Sequence, residues 1–303
     1  SPEEDAARRD FTINGMFFDP LAGRLHDYVG GRADLDAKVL RAIGDPAARF
    51  AEDKLRVLRA VRIAARFGLT IDPATLAAAR AMAPQITVVS AERIADELRK
   101  MLTHPNRARG VRLLAELDLI APILPELAPA LPMWAEVARV VEALPASASF
   151  PLAFAALLAH VPEVTAARVE AIATRLRLSN DEKARAAWLV ANRAALRDSP
   201  AMRPSQRHPY LVHGGAHELL ALHRATGHEA PAAFCEELLG TTPRDVLDPP
   251  PFVTGADLKA MGLRPGPDFK RLLDAARVAQ LDGPVRTRDE ALALVRSLSP
   301  APG

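Results

Sequence analysis

Two short stretches concentrate side chains that can do chemistry. The first, "RRDFTIN" at residues 8–14, sets Arg8, Arg9, Asp10 and Asn14 around a short β-like run. An arginine fork can take phosphate oxygens in pairs, and Asp10 and Asn14 can bond sugar hydroxyls, although Asp10 can equally cap a turn. The second, "FAEDKLRVLRAVRIAARF" from Phe50 to Phe67, reads as one amphipathic helix. At 100° per residue, Arg56, Arg59, Arg62 and Arg66 fall within roughly 120° of one another. Phe50, Val57, Leu58, Val61 and Ala65 take the opposite side, with Leu55 the exception. The cationic face lacks a regular ladder of glutamates at four-residue spacing. It is therefore either a solvated face or a grip on an anion such as phosphate or nucleic acid.

Asp53 and Arg56 stand three residues apart and would be neighbours on such a helix. As a surface ion pair they would contribute under about 1 kcal/mol. As a hydrogen-bond template they do more. A carboxylate only accepts and a guanidinium only donates. Together they complement a base edge that carries an amino group beside a ring acceptor, as cytosine and adenine do. Uracil and guanine place a carbonyl there, which would leave buried groups unpaired at a cost of about 1–3 kcal/mol each.

The elements that must position these residues are mostly helices. Aromatics make up only 5% of the 303 residues, while alanine, leucine and arginine dominate. Strand-forming composition is therefore scarce. The length favours two or more subdomains. The exception is residues 11–30, where "DPLAG" between two short apolar runs predicts a hairpin. "GGRADL" then offers a loop with Asp34 at a helix start, and from about residue 46 the pattern is helical. Breaks are expected at Gly68–Pro73, Pro84, 103–106, 122–132, 144–151, Ser199–Pro209 and the "DPPP" run at 248–251. The proline-rich stretches 122–132 and 248–251 are candidate boundaries. The net charge of +2 says little about partners. A lone cysteine, Cys235, excludes an internal disulfide and a cysteine-based zinc site, and suits a reducing cytoplasm. No apolar run of about 18 residues predicts a membrane span.

The order and spacing of "RRDFTIN", "DP", "DYVGGRADL", "FAEDKLRVLRAVRIAARFG" and "SAERIADELRKML" closely resemble the class II CCA-adding tRNA nucleotidyltransferase and bacterial poly(A) polymerase family. The resemblance covers residues 5–104 and returns at 255–283, "GADLKAMGLRPGPDFKRLLDAARVAQLDG"; the middle matches only in helical character. It implies a mainly α chain: a small α/β remnant of a nucleotidyltransferase head at 1–45, a helical neck with a nucleotide-reading helix at 46–124, a helical body at 125–250 and a helical tail at 251–303. It implies addition of CMP and AMP to an RNA 3′ end, with CTP, ATP and tRNA or another RNA as partners, in the cytoplasm. Carried over, Arg9 would contact the triphosphate, and Asp10 and Asn14 would order the sugar side. Asp53 and Arg56 would be the base-reading template, and Arg59 and Arg62 would hold phosphates or support it. Glu92 and Arg93 would brace the neck, or simply start a helix and form an ion pair. Arg264, Lys270 and Arg271 would be tail contacts to RNA, or a solvated face.

The family's chemistry needs two metal ions, Mg2+, held by two aspartates one residue apart. In the family that pair lies upstream of the stretch resembled here, after a glycine-rich motif. Asp34 and Asp36 copy the spacing, but they follow the RRD motif and are expected to be helix-start acids. No catalytic carboxylate and no metal ligand are therefore assigned within this chain. It begins with Ser1 in the midst of the motifs, so further sequence upstream is expected, and the chain by itself is expected to hold half a nucleotide site and not to polymerise. A poly(A) polymerase shares the same template, and a non-catalytic helical RNA-binding module is the reading from another class. Smaller departures are Lys54, where the family commonly has proline or alanine, and Gly15 in place of alanine. His160, in "LAFAALLAHVPEV", lacks the aspartate of a phosphohydrolase site. His208, His213, His217 and His223 form only a loose cluster without a metal-ligand pattern.

Overall fold

The computed structural model describes residues 1–161 and 164–299. Pro162 and Glu163, within the stretch around His160, and the last four residues of the tail lie outside it. The described chain is mainly helical, with two small two-stranded sheets. Its contacts divide it into two compact units, Ser1–Arg193 and a second from Ala194 on.

The first unit opens with helix α1 (Pro2–Ala7), capped by Ser1, and a 3-10 turn, Thr12–Asn14. Strands β1 (Met16–Asp19) and β2 (Arg24–Asp27) form the expected antiparallel hairpin, Met16 facing Asp27 and Asp19 facing Arg24. The Asp19 carboxylate accepts from the Leu21 and Ala22 amides, which is the turn chemistry that "DPLAG" offers. Helix α2 (Gly31–Asp36) packs on the 3-10 turn. A Cβ on Gly31 would stand 2.2 Å from the Thr12 carbonyl oxygen, so glycine is required there. A Cβ on Gly15 would likewise come 2.6 Å from a Val29 methyl, so an alanine there would force that side chain to shift. Asp34 sits in the first turn of α2 as expected; Asp36 is its last residue, so the helix-start reading of Asp36 is corrected.

Strand β3 (Val39–Leu40) leads to α3 (Pro46–Glu52) and α4 (Leu55–Phe67). The single helix expected from Phe50 to Phe67 is thus two helices. Asp53 between them is extended (φ −146, ψ 104), and its carboxylate accepts from the Leu55 amide. A side chain that satisfies a free N-terminal amide favours a cap over a continuous helix. Lys54 has a φ of −64, a value proline also adopts. At the far end, left-handed Gly68 (φ +68) closes α4 while Leu69 N–H returns to the Ala64 carbonyl at 2.9 Å. Strand β4 (Thr70–Ile71) pairs in parallel with β3.

Helices α5 (Pro73–Met82), α6 (Ala91–Leu102) and α7 (Arg107–Glu116) follow, and α4 packs on both α6 and α7. Val57, Leu58, Ala60, Val61, Ile63, Ala64 and Ala65 are buried, and so is Leu55, the residue out of phase with the stripe. The rest of the unit is α8 (Ile120–Ile123), a proline-rich 3-10 segment, α9 (Trp134–Glu142), α10 (Phe150–Leu158), α11 (Ala166–Arg175) and α12 (Asn180–Ala191). Arg99 on α6 forks onto Glu182 of α12 at 2.8 and 3.1 Å.

The second unit contains α13 (Pro204–Leu211), α14 (Ala216–Ala225), α15 (Glu229–Thr241), α16 (Arg244–Leu247), α17 (Gly255–Ala260), α18 (Pro267–Leu281) and α19 (Arg288–Leu298). Pro209 lies inside α13, so the break expected to run to Pro209 ends before Pro204. Leu258, Leu272, Val285, Ala291 and Val295 form the core of the last three helices. Lys270 and Arg271 pair with Asp274 and Asp268 on the surface of α18.

Candidate functional site

The arginines of α4 line a cavity of about 660 Å³. Its lining is Arg9, Asp10, Asn14, Asp53, Arg56, Arg59, Arg62, Ile63, Arg66 and Phe67. All seven residues singled out from the sequence therefore face one space. Ile63, Arg66 and Phe67 complete the lining; Arg66 was visible in the stripe, whereas an aromatic at a helix end carries no sequence signal of its own.

The RRD segment reaches the cavity because its backbone is tied to the strand beside it. Phe11 bridges Ala42, Thr12 N–H donates to the Arg41 carbonyl at 3.0 Å, and Ile43 N–H donates to the Asp10 carbonyl at 3.2 Å. The Phe11 side chain is fully buried and anchors the segment. Asp10 is only 6% exposed. Its Oδ1 accepts from the Phe11 amide at 2.9 Å and from Asn14 Nδ2 at 2.8 Å, while Oδ2 accepts from Arg59 Nε at 2.7 Å. Arg9 donates through Nη1 to the Asn14 carbonyl at 2.9 Å, pairs with Asp5 at 2.9 Å, and lies over the Phe17 ring.

The sequence shows no glutamate ladder for the α4 arginines, and the structure supplies acids from elsewhere. Arg59 meets Asp10, and Arg62 Nε meets Glu97 of α6 at 2.5 Å. Glu97 is 3% exposed, and Lys100 stands 3.6 Å from its other oxygen. Arg56 bonds Glu52 at 2.6 Å and the carbonyls of Arg49 and Arg8 at 2.9 and 3.3 Å. The expected Asp53–Arg56 neighbourhood on one helix surface is corrected: the helix breaks at Asp53, and the carboxylate paired with Arg56 is Glu52. Asp53 instead takes Arg93 Nη2 of α6 at 2.7 Å. Both Asp53 and Arg56 still line the cavity. Burial pushes the Asp53 carboxyl up, but the bonds from Arg93 and the Leu55 amide, with the nearby charges of Arg93 and Arg56, hold it below the ordinary range. It is an acceptor only at neutral pH. Glu92 faces away toward Arg177, 3.9 Å off.

Five arginines against two aspartates make the lining suited to an anion. The residues present do not fit a divalent cation. Among the described residues no group of three or more acidic, histidine or cysteine side chains is placed to hold one. Asp34 is engaged by Thr12 at 2.7 Å and Arg41 at 3.2 Å. Of the histidines, His208 bonds Asp248 at 2.8 Å and His213 accepts from the Gly215 amide.

A helix whose arginines line an anion-suited cavity thus stands beside a small segment of two-stranded sheets. Residues 1–41 match the poly A polymerase head domain, and residues 68–131 match the probable RNA and SrmB-binding site of polymerase A. Poly(A) polymerase I of Escherichia coli O6:H1 is 40% identical over 125 residues, covering 41% of this chain and 27% of that protein. The CCA-adding enzyme of Geobacillus stearothermophilus is 41% identical over 128 residues, covering 42% of this chain and 31% of that protein. The crystal structure of the Bacillus stearothermophilus CCA-adding enzyme in complex with CTP superposes with a TM-score of 0.82 at 29% identity, over 98% of this chain and 74% of that one. Over these stretches the chain is similar to CCA-adding enzymes and poly(A) polymerases. The stretch aligned with these curated relatives amounts to about a quarter to a third of their length. Among the described residues no helix is long and apolar enough to cross a membrane.

Proposed function

We propose that the cavity binds CTP or ATP for transfer of the nucleotide to an RNA 3′ end without a nucleic-acid template. The observation that carries this reading is the row of Arg56, Arg59 and Arg62 along one cavity wall with Asp53 at its end. Arg9, Arg59 and Arg62 take phosphate oxygens, and Asn14 lies on the sugar side. Asp10 works through Arg59 and Asn14, which already occupy its oxygens. Asp53 and Arg56 read the base. A carboxylate has about four lone-pair sites, so Asp53 retains accepting capacity after bonding Leu55 and Arg93. Its lowered pKa keeps it from donating to the carbonyl of uracil or guanine.

In this reading residues 1–45 are a head segment, 46–124 the neck, 125–250 the body and 251–303 the tail. The superposition on a CCA-adding enzyme favours tRNA as the acceptor, and the poly(A) polymerase relatives keep AMP addition to other RNAs as the second reading. Asp34 is already engaged by Thr12 and Arg41, and in this reading these 303 residues by themselves transfer no nucleotide. Equilibrium binding of labelled CTP and ATP tests the site. Saturable binding that falls on Arg62→Ala supports it, and no saturable binding of either nucleotide sinks it. Incorporation of labelled CTP into tRNA above a heat-killed control, with magnesium present, would overturn the statement about transfer.

A further inference from the structure

Arg66 differs from the other arginines of α4. Arg56, Arg59 and Arg62 are each held by an internal carboxylate. Among the described residues Arg66 makes no ion pair; its guanidinium lies over the Phe67 ring, 5.4 Å from the centroid. Both residues line the cavity, and Phe67 is 56% exposed although it is the largest apolar side chain there. An exposed aromatic next to an uncommitted guanidinium costs apolar hydration without any folding role to offset it.

Position adds a second observation. Asp53 and Phe67 lie at opposite ends of α4, and the thirteen residues of that helix rise about 20 Å. That distance exceeds what one base and its sugar occupy, so the base-reading end and the Arg66–Phe67 end serve different parts of the ligand set. The RNA-binding match begins at residue 68, directly after Phe67. A loop from within that match also touches this end, where Asn106 Nδ2 donates to the Arg66 carbonyl at 3.3 Å.

We infer that Arg66 and Phe67 form a subsite for an unpaired nucleotide of the RNA strand, with its base stacked on Phe67 and its phosphate on Arg66. Aromatic faces take any base, and an arginine fork takes a phosphate bidentately, so the subsite holds the strand without reading its sequence. The inference rests on the nucleotidyltransferase reading of the cavity.

The test measures two ligands on the same proteins. A short fluorescein-labelled single-stranded RNA is titrated by anisotropy, and labelled CTP by equilibrium binding. Phe67→Leu and Arg66→Gln are each expected to weaken RNA about tenfold, the loss of one stacked base or one good phosphate contact. CTP affinity should stay within about twofold, well under the effect of one base contact. Phe67→Tyr should restore RNA binding. Arg66→Gln should reduce the salt slope of RNA binding by about one, and Phe67→Leu should leave it unchanged. The proposal is overturned if RNA affinity is unchanged in both variants, or if CTP affinity falls in parallel with it. Because RNA binding has its own readout, failure to bind CTP alone would refute the nucleotide reading of the cavity, whereas failure of these variants would refute the subsite.

Discussion

Replacing Asp10 by Asn tests whether the RRD aspartate acts by holding Arg59. The exchange keeps one oxygen to accept from the Phe11 amide and from Asn14, at 2.9 and 2.8 Å. It turns the other, which Arg59 Nε reaches at 2.7 Å, into an NH2 group facing a cation. Breaking a buried pair on one side costs about 3–5 kcal/mol when both partners are buried. Asp10 is buried, but the Arg59 side chain is 36% exposed, so water replaces part of the loss. The expected cost is about 2 kcal/mol, near the value of a hydrogen bond to a charged group. Both tryptophans, Trp134 and Trp188, lie in the first unit, so urea unfolding followed by tryptophan fluorescence reports the right part of the chain. With Arg59→Gln as the second mutation, the cycle should give a coupling energy of about 1 kcal/mol. A coupling below about 0.3 kcal/mol, the usual limit of additivity, would refute the argument, because the two side chains would then act independently.

Two further outcomes follow from the structure. Gly31→Ala should destabilise the first unit by about 1–3 kcal/mol through overpacking against the Thr12 carbonyl, and should weaken CTP because the 3-10 turn carrying Asn14 shifts; unfolding and binding curves check both effects. In the tail, the Thr254 amide and then Arg288 hold the Asp257 carboxyl at about 2, below the ordinary 3.8. A depressed folded-state pKa adds stability that is present above the unfolded value and is lost as pH falls through the folded one. Protection factors over α17–α19, taken relative to intrinsic exchange at each pH, should therefore fall between about pH 4 and pH 2, and Asp257→Asn should flatten that dependence.

The residues around the cavity were legible because their signals are local. The arginine stripe repeats with the helical period, and "DPLAG" carries its own turn chemistry. What the sequence concealed lies in long-range pairing. Asp10 and Glu97 stand 49 and 35 residues from the arginines they hold, and no periodicity links them. The break at Asp53 was hidden for another reason. Neither glycine nor proline marks it, and only the cap to the Leu55 amide and the bond from Arg93, forty residues on, make an extended aspartate favourable there. Phe67 carries no signal of its own in the sequence, and its exposure is visible only where α4 packs against α6 and α7.

The central claim is that Asp53 and Arg56 read the base while Arg9, Arg59 and Arg62 hold the phosphates of the nucleotide. Its most direct test is the affinity of the chain for CTP, ATP, UTP and GTP, measured in the unmodified protein, in Asp53→Ala and in Arg62→Ala. The account predicts tighter binding of CTP and ATP than of UTP and GTP. Asp53→Ala should erase that preference, by about 1–3 kcal/mol, the worth of one base-edge contact. Arg62→Ala should weaken all four alike, because phosphates carry no base identity. Equal affinity for the four nucleotides in the unmodified protein, or an equal loss for all four in Asp53→Ala, would contradict it.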